Sequence, residues 1–114
     1  MSVIEFRKRE ATERIVVLIK DTCCVSYESF YKFRRRMGEL DAGVHYFVDA
    51  NGTLHVARKD DCVAGWEHND NTSVYILAQS NTKKLTSSQR YALSPLLTDL
   101  TKRYPNAKIT ERTE

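Results

Sequence analysis

Five consecutive apolar residues, Ile15 to Ile19, constrain the fold of this chain more strongly than any other stretch. Most of them are β-branched, and charged residues, Arg14 and Lys20, stand on both sides. A run this short and continuous is typical of a strand that is buried on both faces in the middle of an α/β sheet. Polar residues and two thiols follow the strand, where such sheets usually carry their functional groups. They are Asp21, Thr22, Cys23 and Cys24.

A helix is predicted after this strand. Ser26 is a suitable N-cap, and Gly38 is a suitable end. Apolar residues recur every three or four positions, which predicts that one face of the helix packs in the core. They are Tyr27, Phe30, Phe33 and Met37.

A hairpin and a second buried strand are predicted next. Asn51-Gly52 lies between two β-rich segments, which is the pattern of a hairpin with a two-residue turn. With that turn, His55 lies opposite Val48, and His45 projects from the other face of the sheet. Residues 72–78 then form an apolar run typical of a buried strand.

The last helix and strand complete the predicted fold. Thr86 and Gln89 have the spacing of a capping box, and leucines recur along the helix that follows. Pro95 falls inside this pattern and predicts a kink or a late start. Residues 107–110 are expected to form a short final strand. The expected fold is a single α/β domain over residues 1–114, a central mixed β-sheet flanked by helices, with residues 1–13 as an N-terminal arm.

Length and charge limit the classes of function. The 114 residues fit one domain, and a net charge of +3 with dispersed cations does not indicate a nucleic-acid partner. The N-terminus lacks the apolar region of a signal peptide, and no segment approaches the ~20 apolar residues of a membrane span. The chain is therefore expected in the cytoplasm, without membrane contact and with reduced cysteines. Its oligomeric state is left open.

The residues alone favour no reaction. His45 and His55 are predicted on opposite faces, so we expect neither a shared metal ion nor any other cofactor. Cys23 or Cys24 as a nucleophile with His45 as its base is an alternative, although small thiols without a catalytic role are the favoured interpretation. The carboxylates of Asp60 and Asp61 are interpreted as solvated.

Several segments carry recognisable motifs. Phe6-Arg-Lys-Arg-Glu-Ala-Thr12 precedes the first strand, and the hairpin reads Gly43-Val-His-Tyr-Phe-Val, then Asn-Gly-Thr-Leu and Ala-Arg58. His68-Asn-Asp-Asn-Thr-Ser-Val and Leu85-Thr-x-x-Gln89 follow, and the last helix ends at Tyr104-Pro. In this order the segments resemble the T-seven-type phage lysozymes, which are N-acetylmuramoyl-L-alanine amidases with the fold of peptidoglycan recognition proteins. The resemblance covers nearly the whole chain and implies that fold.

The resemblance also implies a zinc site, and the residues at its positions differ here. Leu18 stands at the first zinc histidine and Arg112 near the second, while the third ligand falls beyond Glu114. Val44 replaces the tyrosine beside the zinc, and His45 matches only the histidine after it. Trp66 corresponds to a pocket histidine. The resemblance therefore implies a catalytically inactive homologue without zinc.

A protein-binding function is the favoured hypothesis. Lysozymes of this type also inhibit the RNA polymerase of their phage, with the N-terminal arm taking part, so the resemblance implies that polymerase or a host defence protein as partner. The host cytoplasm is the expected location. The candidate contact residues are Phe6, Arg9, Glu10, Tyr31, Arg34, Arg35, Arg36 and Trp66. Binding of peptidoglycan or a small ligand in the former cleft, and residual amidase activity, are the alternatives.

Overall fold

The predicted alternation of strands and helices is confirmed in the computed structural model, which describes residues 6–23, 26–67 and 70–114. In these ranges the elements are β1 (Arg14–Lys20), α1 (Tyr27–Arg36), β2 (Tyr46–Val48), β3 (Leu54–Val56), β4 (Ser73–Gln79), α2 (Ser87–Arg103) and β5 (Lys108–Thr113). The mixed α/β fold with a central sheet is thus confirmed.

The strands form one sheet in the order β3-β2-β4-β1-β5. β1 is parallel to both β4 and β5, β2 is parallel to β4, and only the β2–β3 pair is antiparallel. Residues Ile15–Ile19 are buried, as is all of β4. These two strands are apolar without alternation because both of their faces are covered.

Each face of the sheet has its own core. On the α2 face, side chains of alternating strand positions such as Ile15 and Val17 pack against Leu93, Leu96 and Leu100 of α2. On the α1 face, the other strand positions pack against Phe30 of α1 and against residues of the connecting loops. This second cluster includes Val16, Leu18, Phe47, Tyr75, Leu77, Val44 and Trp66.

The predicted capping box begins α2. The Thr86 hydroxyl accepts from the Gln89 backbone N–H at 3.1 Å, and Gln89 Oε1 accepts from the Thr86 N–H at 3.0 Å. The helix runs through Pro95, so the proline does not delay its start. None of the helices in the described part of the chain is both long and apolar enough to span a membrane.

The two-residue turn predicted at Asn51-Gly52 is wrong. His55 pairs with Phe47, not with Val48, so the connection is one residue longer. The reason is Asp49, whose Oδ1 accepts from the backbone N–H groups of Asn51 and Thr53, each at 3.0 Å. The Asp49 carboxylate thus accepts hydrogen bonds from N–H groups that a tighter turn would pair with backbone carbonyls.

The core stripe predicted along α1 is also wrong beyond its first turns. Phe30 is buried, but Phe33 is 41% exposed and Met37 is 67% exposed. Each residue advances ~100° around a helix, so Phe33 lies ~60° from Phe30 on the side away from Arg34. Arg34 turns inward instead, with its guanidinium 4.9 Å from the Trp66 ring centroid. The inward-facing side chains of α1 are therefore the buried Phe30 and the half-buried Tyr27 and Arg34.

Candidate functional site

Leu18 lies at the centre of the α1 face and is fully buried. It pairs with Leu77 of β4 on one side and with Arg112 of β5 on the other. Val44, which is also fully buried, belongs to the same cluster. Hydrocarbon side chains have no lone pairs, so neither residue can bind a metal ion.

Arg112 is half-buried and held by carboxylates. Its Nη2 donates to Glu67 Oε1, and its Nε donates to Glu114 Oε2 at 2.7 Å. The guanidinium carbon lies 6.0 Å from the Tyr75 ring centroid. A permanent cation in this position disfavours a metal cation nearby.

A groove of about 430 Å³ runs beside Arg112. One side is formed by residues of β1 and β5, and the other by Glu67 and Asp70 of the loop before β4. Asp70 Oδ2 accepts from the Tyr75 hydroxyl and from Ser73 Oγ at 2.8 Å. Burial raises the pKa of Asp70, but hydrogen bonds from Tyr75 and Ser73 outweigh it and hold that pKa below its ordinary value. The groove therefore presents an ionised carboxylate between cations, a lining suited to polar ligands.

His45 is buried and bonded through both ring nitrogens. Nδ1 accepts from the Tyr75 backbone N–H at 3.0 Å, so the neutral ring carries its proton on Nε2, which donates to the Cys62 carbonyl at 2.7 Å. Burial lowers the pKa of His45 to about 4. The alternative in which His45 acts as a base for Cys23 is wrong, because its ring nitrogens bond the backbone and Cys23 is at the surface. Cys24 lies outside the described residues.

His55 has different partners. Its Nε2 lies 3.2 Å from Asp49 Oδ2, and its ring stacks on Tyr27 with centroids 5.1 Å apart. The corrected register removes the expectation that His45 and His55 lie on opposite faces. Their hydrogen bonds nevertheless direct the rings to separate neighbours.

The N-terminal arm is held to the loop after β3. Val63 N–H donates to the Arg7 carbonyl at 2.7 Å, and Arg9 N–H donates to the Asp61 carbonyl at 2.8 Å. The Arg9 side chain is half-buried and also donates to the Cys62 carbonyl at 2.8 Å. Glu10 is exposed. Residues 6–13 of the predicted arm are therefore docked on the domain, and residues 1–5 lie outside the described ranges.

Arg58 links this arm to the core and was not recognised as a key residue from the sequence. It is buried and donates to both Asp41 carboxylate oxygens, at 3.0 and 2.7 Å, and to the Val63 carbonyl at 2.6 Å. Its guanidinium carbon lies 3.7 Å from the Phe6 ring centroid. The Ala-Arg58 motif of the hairpin was the only signal in the sequence.

Asp60 is the centre of a second network, so its interpretation as a solvated carboxylate is wrong. It accepts from Tyr46, from Tyr104 at 2.9 Å and from Arg103 at 2.7 and 2.8 Å. Burial alone would raise the pKa of Asp60, but the hydrogen bonds from these groups hold that pKa at about 2. The network fastens the loop after β3 to the end of α2.

The remaining candidate contact residues lie around α1. Trp66 is half-buried between Phe30, at 6.4 Å between ring centroids, and the guanidinium of Arg34. Tyr31 is half-buried beside Tyr27. The two residues of this group that are exposed are Arg35 and Arg36.

Comparison with known proteins assigns the family. No model of a known protein family matches the chain. The endolysin of Klebsiella phage KP32 is 30% identical over an alignment of 120 positions. The alignment covers 96% of this chain and 80% of that protein. The chain belongs to the T7-type phage endolysin family. The endolysin of Escherichia phage T7 is 26% identical to this family member over the same shares of the two chains.

Solved structures confirm the fold of this endolysin-family chain. The Ph2119 endolysin, from a Thermus scotoductus bacteriophage, has a TM-score of 0.76 at 21% identity. The match covers 93% of this chain and 75% of the Ph2119 chain. The peptidoglycan recognition protein PGRP-Hd of Alvinella pompejana has a TM-score of 0.76 at 16% identity, with coverage of 93% and 77%. The amidase LysC of Clostridium intestinale has a TM-score of 0.71 at 16% identity, with coverage of 93% and 78%.

The zinc ion that the resemblance implies does not fit the side chains at its positions. Leu18 offers hydrocarbon, and the facing Arg112 offers a cation. Over residues 6–23, 26–67 and 70–114, no group of three His, Cys, Asp or Glu side chains is arranged to hold a metal ion. His68 lies outside these ranges.

Proposed function

We propose that this endolysin-family chain is a catalytically inactive homologue that acts by binding another protein. The observation that carries the proposal is the fully buried Leu18 at the position matched to the first zinc histidine. Arg112, its pairing partner on β5, donates hydrogen bonds to Glu67 and Glu114. A zinc amidase needs the ion to generate a nucleophile from water near neutral pH, and these groups cannot hold that ion.

The partner we propose is the RNA polymerase of the phage or a host defence protein, bound and inhibited in the cytoplasm of an infected bacterium. The docked arm supports this proposal, because backbone hydrogen bonds to the loop after β3 hold residues 7–9 in one conformation. A surface that is already ordered loses less conformational entropy on binding. Glu10 of the arm is exposed and available for contact.

Ligand binding in the former cleft is the second candidate function, and the groove beside Arg112 is the observation that favours it. Its volume of about 430 Å³ falls within the range of small-ligand sites. Arg14 and Arg112 line it together with Glu67 and Asp70, so a polar fragment of peptidoglycan is a suitable probe. Titration with a purified muropeptide tests this candidate, with Arg112→Ala as the variant expected to weaken binding.

Amidase activity is tested with the purified chain, added zinc and purified peptidoglycan. The endolysin of Klebsiella phage KP32, assayed in parallel, shows whether the substrate and conditions are suitable. We expect no release of peptide above the buffer background and no stoichiometric zinc in the purified chain. Zinc-dependent release of peptide would contradict the proposal and support residual amidase activity.

Protein binding is tested by titrating the purified chain into the RNA polymerase of a T7-type phage and measuring both affinity and transcript yield. Glu10→Lys reverses one exposed charge of the arm and is expected to weaken binding several-fold if the arm contributes. Asp99→Lys is the matched control, because Asp99 is exposed on α2, outside the arm and α1. If the polymerase is not bound, the same chain is used to test purified host defence proteins of the infected bacterium.

A further inference from the structure

Three large apolar side chains near the end of α1 are exposed. The exposed fraction is 41% for Phe33, 67% for Met37 and 54% for Leu40. Phe33 and Met37 are four residues apart and so lie on one side of the helix. Arg35 Nη1 donates to the carbonyl oxygens of Glu39 and Leu40, at 3.2 and 2.9 Å, which holds Leu40 beside the helix end. We call Phe33, Met37 and Leu40 the apolar stripe.

The apolar stripe groups three exposed apolar side chains within eight residues of the chain. Isolated apolar residues are common on protein surfaces, but several together are typical of a contact surface. The core does not need these side chains, because Phe30 and Trp66 already cover the α1 face of the sheet. Nothing in the packing of the described residues accounts for three large apolar groups in solvent.

Cations border the apolar stripe. Arg36 is exposed and lies three residues from Phe33, and Lys32 precedes Arg36 by about one helical turn. The ion pair of Lys32 with Glu28 is 3.1 Å long but its side chains are 68% and 78% exposed, so it is weak and easily exchanged. The surface around the stripe therefore combines apolar area with positive charge.

We infer that the apolar stripe and Arg36 form the docking surface for an acidic segment of a partner protein that presents apolar side chains of its own. The inference rests on the proposed function and specifies the surface that would carry it. Apolar groups and arginine contribute strongly to binding at interfaces, and complementary charge increases the rate of association. An acidic amphipathic segment satisfies both features at once.

A second copy of the chain is a weaker match for this surface. In a two-fold dimer the same patch meets itself, so the positive charges of both copies would lie in one interface. The repulsion between like charges would oppose the gain from apolar burial. An anionic lipid surface matches the charge, but three side chains offer little apolar area for insertion. Both occupants are outcomes of the experiment below.

The first experiment identifies what lies on the stripe. A benzophenone side chain is introduced at position Met37 in one sample and at position Val56 in another, and the cells are irradiated during infection by a T7-type phage. Val56 is a matched control because it is 68% exposed and pairs with Tyr46, whose side chain packs on the α2 face, so Val56 lies on the face of the sheet away from α1. The cross-linked peptide is sequenced, and its parent protein is then purified.

The second experiment measures binding of that purified protein. Met37→Asp and Arg36→Glu are each expected to weaken its affinity at least tenfold, and added salt is expected to weaken binding of the parent chain. Val56→Asp and Lys102→Glu are the controls, since both residues are exposed and lie outside the stripe. Circular dichroism verifies that all four variants keep the fold.

The outcomes separate this inference from the proposed function. Two results together support the inference. The cross-link forms at Met37 but not at Val56 and joins an acidic, apolar segment, and both Met37→Asp and Arg36→Glu lose affinity. Cross-linking at Met37 to a second copy or to lipid, or no product at all, overturns it. A partner that binds normally to Met37→Asp overturns the docking surface but leaves the proposed function standing. Zinc-dependent amidase activity of the chain would overturn the proposed function itself.

Discussion

At the residue scale, the contact between Arg58 and Asp41 is expected to dominate stability. Both side chains are nearly inaccessible, with 5% and 9% exposed, and Asp41 also accepts from the Gly43 N–H at 2.7 Å. Removal of one partner of a buried pair leaves an uncompensated charge. We therefore expect Asp41→Asn to lower the free energy of unfolding by about 3 kcal/mol, measured by urea denaturation.

The matched control for this prediction is an exposed pair. Glu28→Gln removes the ion pair with Lys32, whose partners are mostly solvated. An exposed pair of this kind contributes under about 0.5 kcal/mol. If Asp41→Asn and Glu28→Gln have similar small effects, the buried pair does not hold the loop as the contacts indicate.

His45 gives the protein a pH dependence of known sign. Burial lowers its pKa to about 4, below the ordinary value of 6.5, so the unfolded chain binds a proton more readily than the folded one. The stabilisation is complete above pH 6.5 and is lost as the pH falls from there towards 4. The loss amounts to at most about 3 kcal/mol for this single group. Asp60, with a pKa lowered to about 2 from 3.8, adds its loss only at lower pH.

Two measurements check this prediction. Urea denaturation at a series of pH values between 4 and 7 is expected to show a free energy of unfolding that rises with pH. Nitrogen NMR of the imidazole is expected to show a neutral His45 ring down to about pH 4. Protonation of the folded-state ring near pH 6.5 would contradict the hydrogen-bonded, buried arrangement.

Residue roles were predictable where the chemistry depends on the residue type alone. Leu18 has no lone pair to donate to zinc in any environment, so this property follows from the residue type alone. The roles of Asp60 and Arg58 depend on partners that are distant in sequence, such as Arg103 and Asp41. A single sequence gives no sign of such pairings, and for that reason Asp60 was interpreted as solvated.

At the element scale, Pro95 is the feature of α2 that most limits its stability. The ring removes a backbone donor and crowds the carbonyl of Tyr91 one turn earlier. Because Pro95 is exposed, its replacement leaves the core unchanged. We expect Pro95→Ala to raise the free energy of unfolding by roughly 1–2 kcal/mol, since the reduced entropy of a proline-containing unfolded chain offsets part of the gain.

The neighbouring exposed residue Ser94 supplies the control for this prediction. Ser94→Ala changes helix propensity by only a few tenths of a kcal/mol, roughly within the scatter of surface substitutions. Thermal and urea denaturation compare the two variants. No gain in Pro95→Ala would mean that α2 has already adjusted around the proline without loss.

Elements were predictable from local signals, and their details failed where distant contacts decide. The capping box at Thr86 and the buried run at Ile15–Ile19 are complete within a few residues, and both were confirmed. The hairpin register failed because the Asp49 side chain widens the turn. The core face predicted for α1 has the correct helical period. It is wrong at Phe33 and Met37, because how far the sheet extends beneath the helix is a tertiary property.

At the scale of the whole molecule, the two faces of the sheet have separate tasks. The α2 face is a conventional core of aliphatic side chains. On the α1 face, Leu18 and Val44 extend the core at the positions where the resemblance implies a zinc histidine and the tyrosine beside it. Under the proposed function, this division lets the family fold persist without its zinc chemistry.

This view predicts that zinc binding can be introduced by substitution. Leu18 and Arg112 are paired positions on adjacent strands, and the Glu67 carboxylate reaches the Arg112 side chain. The double variant Leu18→His with Arg112→His would therefore present two imidazoles and one carboxylate, a ligand set that zinc accepts. Loss of the buried leucine should make the variant less stable than the parent chain without zinc, by roughly 2–4 kcal/mol.

Zinc should reverse much of this loss in the double variant alone. At a free concentration near 100 times the dissociation constant, binding stabilises the folded state by about 2.7 kcal/mol. Thermal denaturation with and without zinc, and calorimetric titration, measure this linkage. The control is Arg112→His by itself, which keeps Leu18 and should not respond to zinc. An equal response of the control, or of the parent chain, would mean that other side chains hold the ion and that Leu18 does not decide whether zinc binds at this position.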